Sequence, residues 1–339
     1  MNIDERAIRP QDAVEWFRHR SYDHEAFSDV SALAGRKREL GLSVSLVLPC
    51  RNVADTVGGI VEQIHAVNER APMRSPLIDQ ILAVDADSED GTAEVAASKG
   101  AEVYSENELM PGLGGAHGKG DAMWRSLSVA RGDLVMYVDA DTRDFKPQFV
   151  YGILGPILSV PQVRFVKAAF RRPFKSHEAV EMDGGGRVTE LSAKPLFNLF
   201  YPELSGFVQP LAGEFVADAA LFRSIPFMTG YAVETSVMID VLKKVGLGAM
   251  AQVDLGARQN RHQPLRDLSR MSYAVLRAVA RRLRQDGRLN QARDPNLPDD
   301  LFQFSDYHHA VATPDGLRIQ EYVEELVERP PMAEILRVR

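Results

Sequence analysis

Two carboxylates that directly follow an apolar run are the first residues in this sequence with an evident chemical use. Asp139 and Asp141 stand two residues apart after the run at 134–138. Such a pair holds a divalent cation from one side and leaves its other positions open for a diphosphate. A metal-bound diphosphate leaves readily because the cation neutralises its developing charge. The alternative is a solvated turn, since Asp-x-Asp is a common pattern.

Two glycine-rich segments are candidate phosphate sites. The first, at 112–120, contains Lys119, and its glycines let the backbone approach a phosphate closely. It is not a Walker A loop, and no GxGxxG follows the first predicted strand, which disfavours a Rossmann dehydrogenase. The second, at 184–189, combines backbone amides at a helix start with Arg187 and Thr189, and so predicts an oxyanion site. The alternative for each segment is a flexible loop.

A loop and an acidic turn follow the first two predicted strands. The loop from Pro49 to Thr56 has the position at which open α/β sheets commonly bind nucleotides. Asp85 follows the second strand and could accept hydrogen bonds from a base or a ribose. The alternatives are an ordinary strand-to-helix turn for the loop, and turn or helix-cap roles for the acidic residues at 85–90.

A basic segment follows the last predicted strand. Nine arginines against two acidic residues give the range 258–288 a net charge of +7, which leaves −14 for the rest of the chain. A solvated helix face explains most of this segment. Arg258, Arg261 and His262 come just after the strand, however, where they could face the same rim as the carboxylate pair. His262 is then a candidate metal ligand, and the alternative is a hydrogen-bonded surface histidine.

Glu234 lies near the start of a predicted helix that begins at Tyr231. Its carboxylate could orient a hydroxyl of a sugar or of an acceptor. It could equally favour the helix N-terminus through the helix dipole.

Strands and helices alternate through the part of the chain that carries most of these residues. Apolar runs predict strands at 43–48, 78–84, 101–104 and 134–138, and helical spacing predicts helices at 57–67, 92–99 and 121–130. This alternation is typical of an α/β fold with a parallel, doubly wound sheet. Ligands bind at the carboxyl ends of the strands in such sheets, where the acidic and glycine-rich residues fall. The less regular second half predicts strands at 163–170 and 250–255 and helices at 190–200, 231–245 and 266–284.

Composition excludes several classes of protein. Of 339 residues, 45% are hydrophobic and 26% are charged, which excludes a disordered chain. The net charge of −7 argues against nucleic-acid binding. The apolar stretch 149–163 is too short and too interrupted by glycine and proline to span a membrane. A single cysteine, Cys50, excludes an internal disulfide framework, and with the polar N-terminus it predicts a cytoplasmic protein.

Five stretches, in order, resemble the actinobacterial glucosyl-3-phosphoglycerate synthases and their mannosyl-3-phosphoglycerate-forming relatives. These are nucleotide-sugar glycosyltransferases of the GT-A type. The stretches are GKGDAMWRS at 118–126, GGGRVTEL at 184–191, QPLAGE at 209–214, GYAVE at 230–234 and QVDLGAR at 252–258. The resemblance covers roughly residues 40–285, with a matching RPPM at 329–332.

The resemblance implies a GT-A fold, a retaining sugar transfer and a role for each site residue that matches the family. The residues implied in catalysis are Lys119, Asp141 and Glu234. Those implied in donor binding are Pro49, Cys50, Arg51, Val53, Asp85, Ala86, Lys119, Asp139, Ala140, Asp141 and Tyr231. Those implied in acceptor binding are Gly186, Arg187, Thr189, Leu211, Arg258 and Arg261. Mg²⁺ or Mn²⁺ would bind the diphosphate and Asp139, Asp141 and a third ligand.

Two departures from the family pattern concern the donor and the metal. The relatives usually have Pro-Ala-x-Asn-Glu in the nucleotide loop, and this chain has Val53 at the position of the Glu. The following acidic turn has Ala86 where the relatives have Ser. Both changes affect base and ribose recognition and favour a guanine nucleotide. The relatives carry the metal-binding histidine in Arg-Glu-His-Arg-Asn, whereas segment 258–262 is Arg-Gln-Asn-Arg-His. We favour His262 as the ligand, since imidazole binds Mn²⁺ better, with Asn260 as the alternative.

We therefore expect a metal-dependent retaining hexosyltransferase that moves mannose or glucose to the 2-hydroxyl of 3-phosphoglycerate, for glycosylglycerate synthesis. GDP-mannose is the favoured donor, with GDP- or UDP-glucose as alternatives. The expected organisation is a helical lead-in (1–40), a nucleotide-sugar-binding α/β half (41–145), an acceptor-binding half (146–286) and a C-terminal arm (287–339) that could make homodimer contacts. The competing hypotheses are a transferase for another acceptor, such as a polyprenyl phosphate, and a non-catalytic nucleotide-sugar-binding regulator.

Overall fold

The computed structural model of the chain describes residues 10–72, 75–172, 174–175, 180–181, 185–258, 265–289, 307–313, 316–322 and 326–337. Its centre is a sheet of eight strands with helices on both faces. The strands are β1 (Ser21–Asp23), β2 (Val44–Cys50), β3 (Gln80–Asp85), β4 (Glu102–Ser105), β5 (Leu134–Tyr137), β6 (Phe165–Arg171), β7 (Phe174–Lys175), β8 (Val180–Glu181), β9 (Phe215–Asp218), β10 (Phe227–Met228), β11 (Met250–Ala257), β12 (Tyr307–Thr313), β13 (Gly316–Tyr322) and β14 (Glu328–Arg329). The α-helices are α1 (Pro10–Arg20), α2 (Val30–Glu39), α3 (Val57–Glu69), α4 (Thr92–Ser98), α5 (Lys119–Ser126), α6 (Gln148–Ser159), α7 (Lys194–Phe200), α8 (Ala219–Arg223), α9 (Val233–Val245), α10 (Leu265–Gln285) and α11 (Met332–Arg337).

The main sheet is parallel except for one strand. Its order is β1-β11-β6-β9-β5-β2-β3-β4, and β9 alone among these strands runs antiparallel to its neighbours, β5 and β6. The expected mostly parallel α/β sheet is therefore present. Neither β1 nor β9 was predicted from the sequence. Strand β1 has three residues within the expected helical lead-in, and β9 pairs with the distant strands β5 and β6.

The sheet separates two hydrophobic cores. Successive residues of a strand point to opposite faces, so Leu46 and Leu48 of β2 pack in the core with α3 and α6, whereas Val47 packs in the core with α5 and α9. Strands covered on both faces are mostly apolar, and β2, β3 and β5, which are buried at nearly every residue, have this pattern. Their continuous apolar runs made these strands predictable.

Helix α3 begins after Thr56, as expected, but the Thr56 side chain does not cap it. Its hydroxyl instead donates a hydrogen bond to the carbonyl oxygen of Ala140 at 2.6 Å. This bond ties the loop after β2 to the loop after β5. Helix α5 ends at Ser126, earlier than the predicted residue 130, because residues 127–129 continue as turns.

The end of the chain is anchored on α5. The Arg329 guanidinium donates to both carboxylate oxygens of Asp121, at 2.9 and 2.7 Å. The Trp124 indole N–H donates to the carbonyl oxygen of Pro330 at 2.8 Å. Strands β12 and β13 pair with each other as a separate hairpin. Within the described ranges, no helix has both the length and the hydrophobicity needed to cross a membrane.

Candidate active site

A cavity of about 370 Å³ lies at the carboxyl ends of the central strands. The parallel register places Cys50 at the end of β2 beside Asp85 at the end of β3, and β5 runs on the other side of β2. The loops that follow these strands therefore meet at one edge of the sheet. All the described residues of the expected site line this cavity except Asp85. Asn260, Arg261 and His262 lie outside the described residues.

Lys119, Asp139 and Glu234 form the centre of the cavity. The Lys119 amine donates to Asp139 Oδ1 at 2.5 Å and to Glu234 Oε1 at 2.7 Å. Burial alone would lower the pKa of Lys119, but the two carboxylates outweigh burial and raise it, so the amine stays charged. A Cβ atom at Gly213 would overlap the Asp139 carboxylate and the Lys119 amine, so this contact requires glycine there.

The Arg258 side chain lies against the carboxylates at the centre of the cavity. Its guanidinium donates to Asp139 Oδ2 at 3.2 Å and to a Glu214 oxygen, and it lies 3.5 Å from Asp141 Oδ1. The residue is 1% exposed. Burial would lower the pKa of Arg258, but the Glu214 and Asp139 charges raise it. Its predicted contact with the acceptor stays a prediction, and in this arrangement its charge is compensated by three carboxylates.

The carboxylate pair after β5 fits a divalent cation. Burial would raise the pKa of Asp139, but Lys119 and Arg258 hold it well below its usual range, so this carboxylate is ionised. Partial burial and then the Asp139 charge raise the pKa of Asp141, whose side chain is 63% exposed to the cavity. A cation would relieve this repulsion, and carboxylate oxygens are ligands that Mg²⁺ and Mn²⁺ prefer. Among the described residues no group of three such ligands forms, and the predicted third ligand lies outside them.

The second glycine-rich segment lies along the end of β6. Gly186 has a positive φ of +75°, and its carbonyl oxygen accepts the Glu190 N–H at 3.0 Å as the following helical turns begin. Thr189 is 1% exposed. The predicted residues of this region that line the cavity are Gly186, Arg187, Thr189 and Leu211. Together with Arg172, they are called the acceptor end of the cavity below.

Arg172, which the sequence analysis missed, belongs to the acceptor end. It directly follows β6 and lines the cavity beside Gly185, whose N–H donates to the Arg172 carbonyl oxygen at 2.9 Å. Its guanidinium lies 5.0 Å from the Phe170 ring centre and has no hydrogen-bond or ion-pair partner within the described part of the chain. Burial and the nearby Arg258 charge lower the pKa of Arg172. An unpaired guanidinium that lines the same cavity as Arg187 indicates an anion site.

The loop after β2 is held by the loop after β3. The N–H groups of Asn52, Val53 and Ala54 donate to side-chain oxygens of Ser88, Thr92 and Asp90 at 2.9, 2.9 and 3.1 Å. These contacts give the acidic turn the structural role that was its alternative. The predicted residues that line the cavity here are Pro49, Cys50, Arg51, Val53 and Ala86.

Asp85 differs from the other predicted donor residues. It is 5% exposed, and its two carboxylate oxygens accept hydrogen bonds from the N–H and the hydroxyl of Ser88, at 2.8 and 2.6 Å. It does not line the cavity. This geometry supports the alternative role of a turn residue, and direct contact with a base or a ribose stays a prediction.

Glu106, which was not predicted from the sequence, also lines the part of the cavity near Val53 and Ala86. It directly follows β4, lines the cavity and is 6% exposed. Burial and then the Asp121 charge raise its pKa to about 7. No sequence signal marks it, since a single Glu after a four-residue strand is unremarkable. Residues 49–53, Ala86 and Glu106 are called the donor end of the cavity below.

The chain is similar in sequence and structure to known glycosyltransferases. The family model described as glycosyl transferase family 2 matches residues 45–163. Glucosyl-3-phosphoglycerate synthase of Petrotoga mobilis is 37% identical over 317 residues, which are 93% of this chain and 94% of that protein. The crystal structure of mannosyl-3-phosphoglycerate synthase from Rubrobacter xylanophilus is 76% identical, with a TM-score of 0.86 over 95% of this chain and 99% of that one. The chain belongs to the family of glucosyl- and mannosyl-3-phosphoglycerate synthases.

A third comparison bears on the ligands of this family. Glucosyl-3-phosphoglycerate synthase from Mycobacterium tuberculosis, solved with Mn²⁺, uridine diphosphate and glucosyl-3-phosphoglycerate, is 33% identical, with a TM-score of 0.73 over 90% of this chain and 95% of that one. The expected family, GT-A fold and glycosyltransferase class are thereby confirmed. The expected cofactor class agrees with the Mn²⁺ in that complex. The roles of the individual residues stay predictions.

Proposed function

We propose that this chain transfers mannose from GDP-mannose to the 2-hydroxyl of 3-phosphoglycerate with retention of configuration, and that glucose donors are poorer substrates. The observation that carries the proposal is the order of charges along one cavity. A cluster of carboxylates and cations at the centre is followed by two arginines at the acceptor end. The similarity to the mannosyl-3-phosphoglycerate synthase of R. xylanophilus supports mannose.

The acceptor has two anionic groups, and two arginines of the acceptor end could each bind one. Arg187 stands where a helix begins beside Gly186, so backbone amides and a guanidinium together favour the phosphate. Arg172 enters from the end of β6 with an uncompensated charge, which favours the carboxylate. Binding both groups would fix the 2-hydroxyl between them, facing the central cluster.

Departure of the nucleotide rests on the centre of the cavity. Asp139 and Asp141 would hold Mg²⁺ or Mn²⁺, whose charge stabilises the departing diphosphate. Lys119 is positioned by Asp139 and Glu234 and could donate a hydrogen bond to the same diphosphate. Because its position is already fixed by two carboxylates, little reorganisation is needed during the reaction.

A front-face displacement fits the arrangement better than a covalent intermediate. Glu234 is the best candidate for a nucleophile, but it is 4% exposed and one of its oxygens accepts from Lys119. We infer that Glu234 positions Lys119 and a sugar hydroxyl, and that the acceptor hydroxyl attacks on the side from which the diphosphate leaves.

A donor-by-acceptor panel tests this function. Purified chain with Mn²⁺ would be given GDP-mannose, GDP-glucose or UDP-glucose, each with 3-phosphoglycerate, with a polyprenyl phosphate or with no acceptor. The proposal expects the highest kcat/KM for GDP-mannose with 3-phosphoglycerate. Transfer to the polyprenyl phosphate alone would overturn the acceptor, a preference for UDP-glucose would overturn the donor, and no transfer at all would favour the regulator.

We also propose that the chain acts as a homodimer in the cytoplasm. The hairpin β12–β13 supports a dimer, because within the described residues it pairs with no other strand and an isolated two-stranded hairpin is marginally stable. The buried free thiol of Cys50 supports a reducing compartment. Light scattering of the purified chain, and of a variant in which a short Gly-Ser linker replaces residues 307–322, would test the dimer. This variant keeps the contacts of Arg329 and Pro330 with α5.

A further inference from the structure

Glu106 at the donor end has a carboxylate without a partner. Its backbone is fixed at the edge of the sheet, since its N–H donates to the Asp85 carbonyl oxygen at 2.9 Å. Neither carboxylate oxygen accepts a hydrogen bond within the described part of the chain, and Oε2 is buried. An unsatisfied buried carboxylate is costly, so a ligand with N–H donors would bind there favourably.

The charged neighbours of Glu106 do not satisfy it. Arg125 donates to the carbonyl oxygens of Leu109 and Gly114, and it is 0% exposed. Asp121 repels Glu106 and is itself paired with Arg329. Arg51 lies on the exposed side of the cavity mouth and attracts Glu106 without a hydrogen bond to it. The described part of the protein therefore leaves the carboxylate without a hydrogen-bond partner, and the buried Oε2 would have to turn towards the cavity to meet a ligand.

The other side chains of the donor end offer a base little else to recognise. Val53 and Ala86 are apolar, and the Cys50 thiol donates to the Leu48 carbonyl oxygen at 3.2 Å. Arg51 also lines the cavity, but it is exposed. Burial raises the pKa of that thiol, so it stays neutral. Discrimination between bases at this end thus falls mainly to Glu106.

The four nucleobases differ in what they present to a carboxylate. Guanine has two adjacent donors on one edge, N1–H and the 2-amino group, which match two carboxylate oxygens. Uracil has one N–H between two carbonyl oxygens, and a carboxylate would repel both. Adenine and cytosine each place an amino group beside a ring nitrogen lone pair, so one carboxylate oxygen would meet a lone pair. A buried, unpaired carboxylate selects guanine among these bases.

We propose that Glu106 accepts hydrogen bonds from N1–H and the 2-amino group of guanine, and so determines the preference for a GDP-sugar. This inference rests on the proposed function, since it names the residue that reads the donor base. It also explains how the chain could bind a guanine nucleotide although the apolar residues Val53 and Ala86 stand at the donor end of the cavity.

Equilibrium binding of the free nucleoside diphosphates tests the proposal without turnover. Calorimetric titration would compare GDP, inosine diphosphate and UDP on the unmodified chain, on Glu106→Gln and on Glu108→Gln. It would be done with Mn²⁺ at pH 8, where Glu106, with its pKa of about 7, is ionised. Glu108 is the matched control, since it lies two residues on, is exposed and does not line the cavity. Inosine diphosphate lacks only the 2-amino group, so it probes one of the two hydrogen bonds.

The unmodified chain should bind GDP about tenfold more tightly than inosine diphosphate, because one hydrogen bond to a charged group is lost. Glu106→Gln should weaken GDP binding about 10- to 100-fold, because the amide directs an N–H at one of the guanine donors. The same variant should bind UDP with unchanged or higher affinity. The difference in affinity between GDP and inosine diphosphate should become smaller. Glu108→Gln should change none of these values.

Three results would overturn the inference. Equal binding of GDP and inosine diphosphate by the unmodified chain would do so without any variant. An equal loss of GDP and UDP affinity in Glu106→Gln would mean that Glu106 acts only on the loop or on Arg51. An unchanged GDP affinity in a folded variant would remove Glu106 from the base site. If the unmodified chain and Glu106→Gln both prefer GDP to the same extent, the proposed donor stands and the role of Glu106 is rejected. If the unmodified chain prefers UDP, the proposed donor and the role of Glu106 are both rejected.

Discussion

Among the residues that the structure describes, Glu106 at one end of the cavity and Arg172 at the other are unpaired charges of opposite sign, whereas the charged side chains at the centre are paired. The side chains of Glu106 at the donor end and Arg172 at the acceptor end have no hydrogen-bond partner among the described residues. Lys119 and Asp139 between them form short ion pairs. Paired groups are held ready for chemistry, and unpaired ones are completed by a ligand. The difference separates the residues that act from those that recognise.

The ends are also separated by the sheet. Arg172 follows β6 and Glu106 follows β4, with β9, β5, β2 and β3 between them. Asp139 and Asp141 follow β5, so the reacting centre lies between the two ends. A donor and an acceptor can therefore bind from opposite sides and meet at the carboxylate pair.

The largest effect should follow a change at the centre. Asp141→Ala removes one of the two carboxylates that would hold the cation, so kcat/KM should fall at least about 10³-fold at saturating Mn²⁺. The melting temperature should stay close to the original because the side chain is 63% exposed. Steady-state kinetics would measure this, with Asp55→Ala as the control because Asp55 is exposed and lies outside the cavity lining. Retained metal-dependent turnover would remove Asp141 from the metal site.

A smaller and more selective effect should follow a change at the acceptor end. Arg172→Gln should raise KM for 3-phosphoglycerate about 10- to 100-fold and leave KM for the donor unchanged, because one charged hydrogen-bonding group is lost. KM for glycerol 3-phosphate, which lacks the carboxylate, should change little. Arg187→Ala should raise KM for both acceptors. Equal effects of Arg172→Gln on donor and acceptor would contradict the division into two ends, and Arg131→Gln, an exposed arginine far from the cavity, is the control.

Lys167 is a buried lysine whose charge acts on Glu234 and Lys119 at the centre of the cavity. It extends the comparison between paired and unpaired charges. It is 0% exposed, its amine has no hydrogen-bond partner among the described residues, and burial lowers its pKa from 10.5 to about 7. Between pH 7 and pH 10.5, Lys167 is protonated in the unfolded chain and neutral in the folded chain. This group therefore makes the free energy of unfolding rise by about 1.4 kcal/mol per pH unit. Lys167→Met should remove that part of the slope and stabilise the chain at pH 7. Denaturant unfolding from pH 7 to 9.5 would measure it, and identical slopes for both proteins would contradict the pKa.

The smallest effect should come from Cys50. Its thiol lines the donor end but is buried and neutral, so Cys50→Ala should change kcat and the KM for the donor less than about threefold. The folded chain should also resist alkylation by iodoacetamide, because the thiolate is the reactive form. Rapid labelling of Cys50, or a large loss of activity in Cys50→Ala, would contradict the view that this buried thiol has no functional role.

The regular half of the fold could be predicted because its strands are buried on both faces and its helices are amphipathic. Short pieces such as Phe215–Asp218 could not, since their strand conformation comes from the neighbours β5 and β6. Site residues in motifs, such as Lys119 and Asp139, could be placed because each follows a recognisable strand or glycine segment. Glu106 and Arg172 are single residues whose importance arises only when the sheet brings the ends of β4 and β6 to one cavity. Asp85 shows the opposite case, since its position suggested a ligand contact and its side chain instead holds Ser88.

The most direct test of the account is the initial rate of GDP release from GDP-mannose at saturating Mn²⁺, measured with and without 3-phosphoglycerate. The account expects 3-phosphoglycerate to accelerate release at least about a hundredfold, because only a bound acceptor places a hydroxyl at the reacting carbon. The product should be mannosyl-3-phosphoglycerate in an amount equal to the GDP released. A rate that does not depend on 3-phosphoglycerate would contradict it.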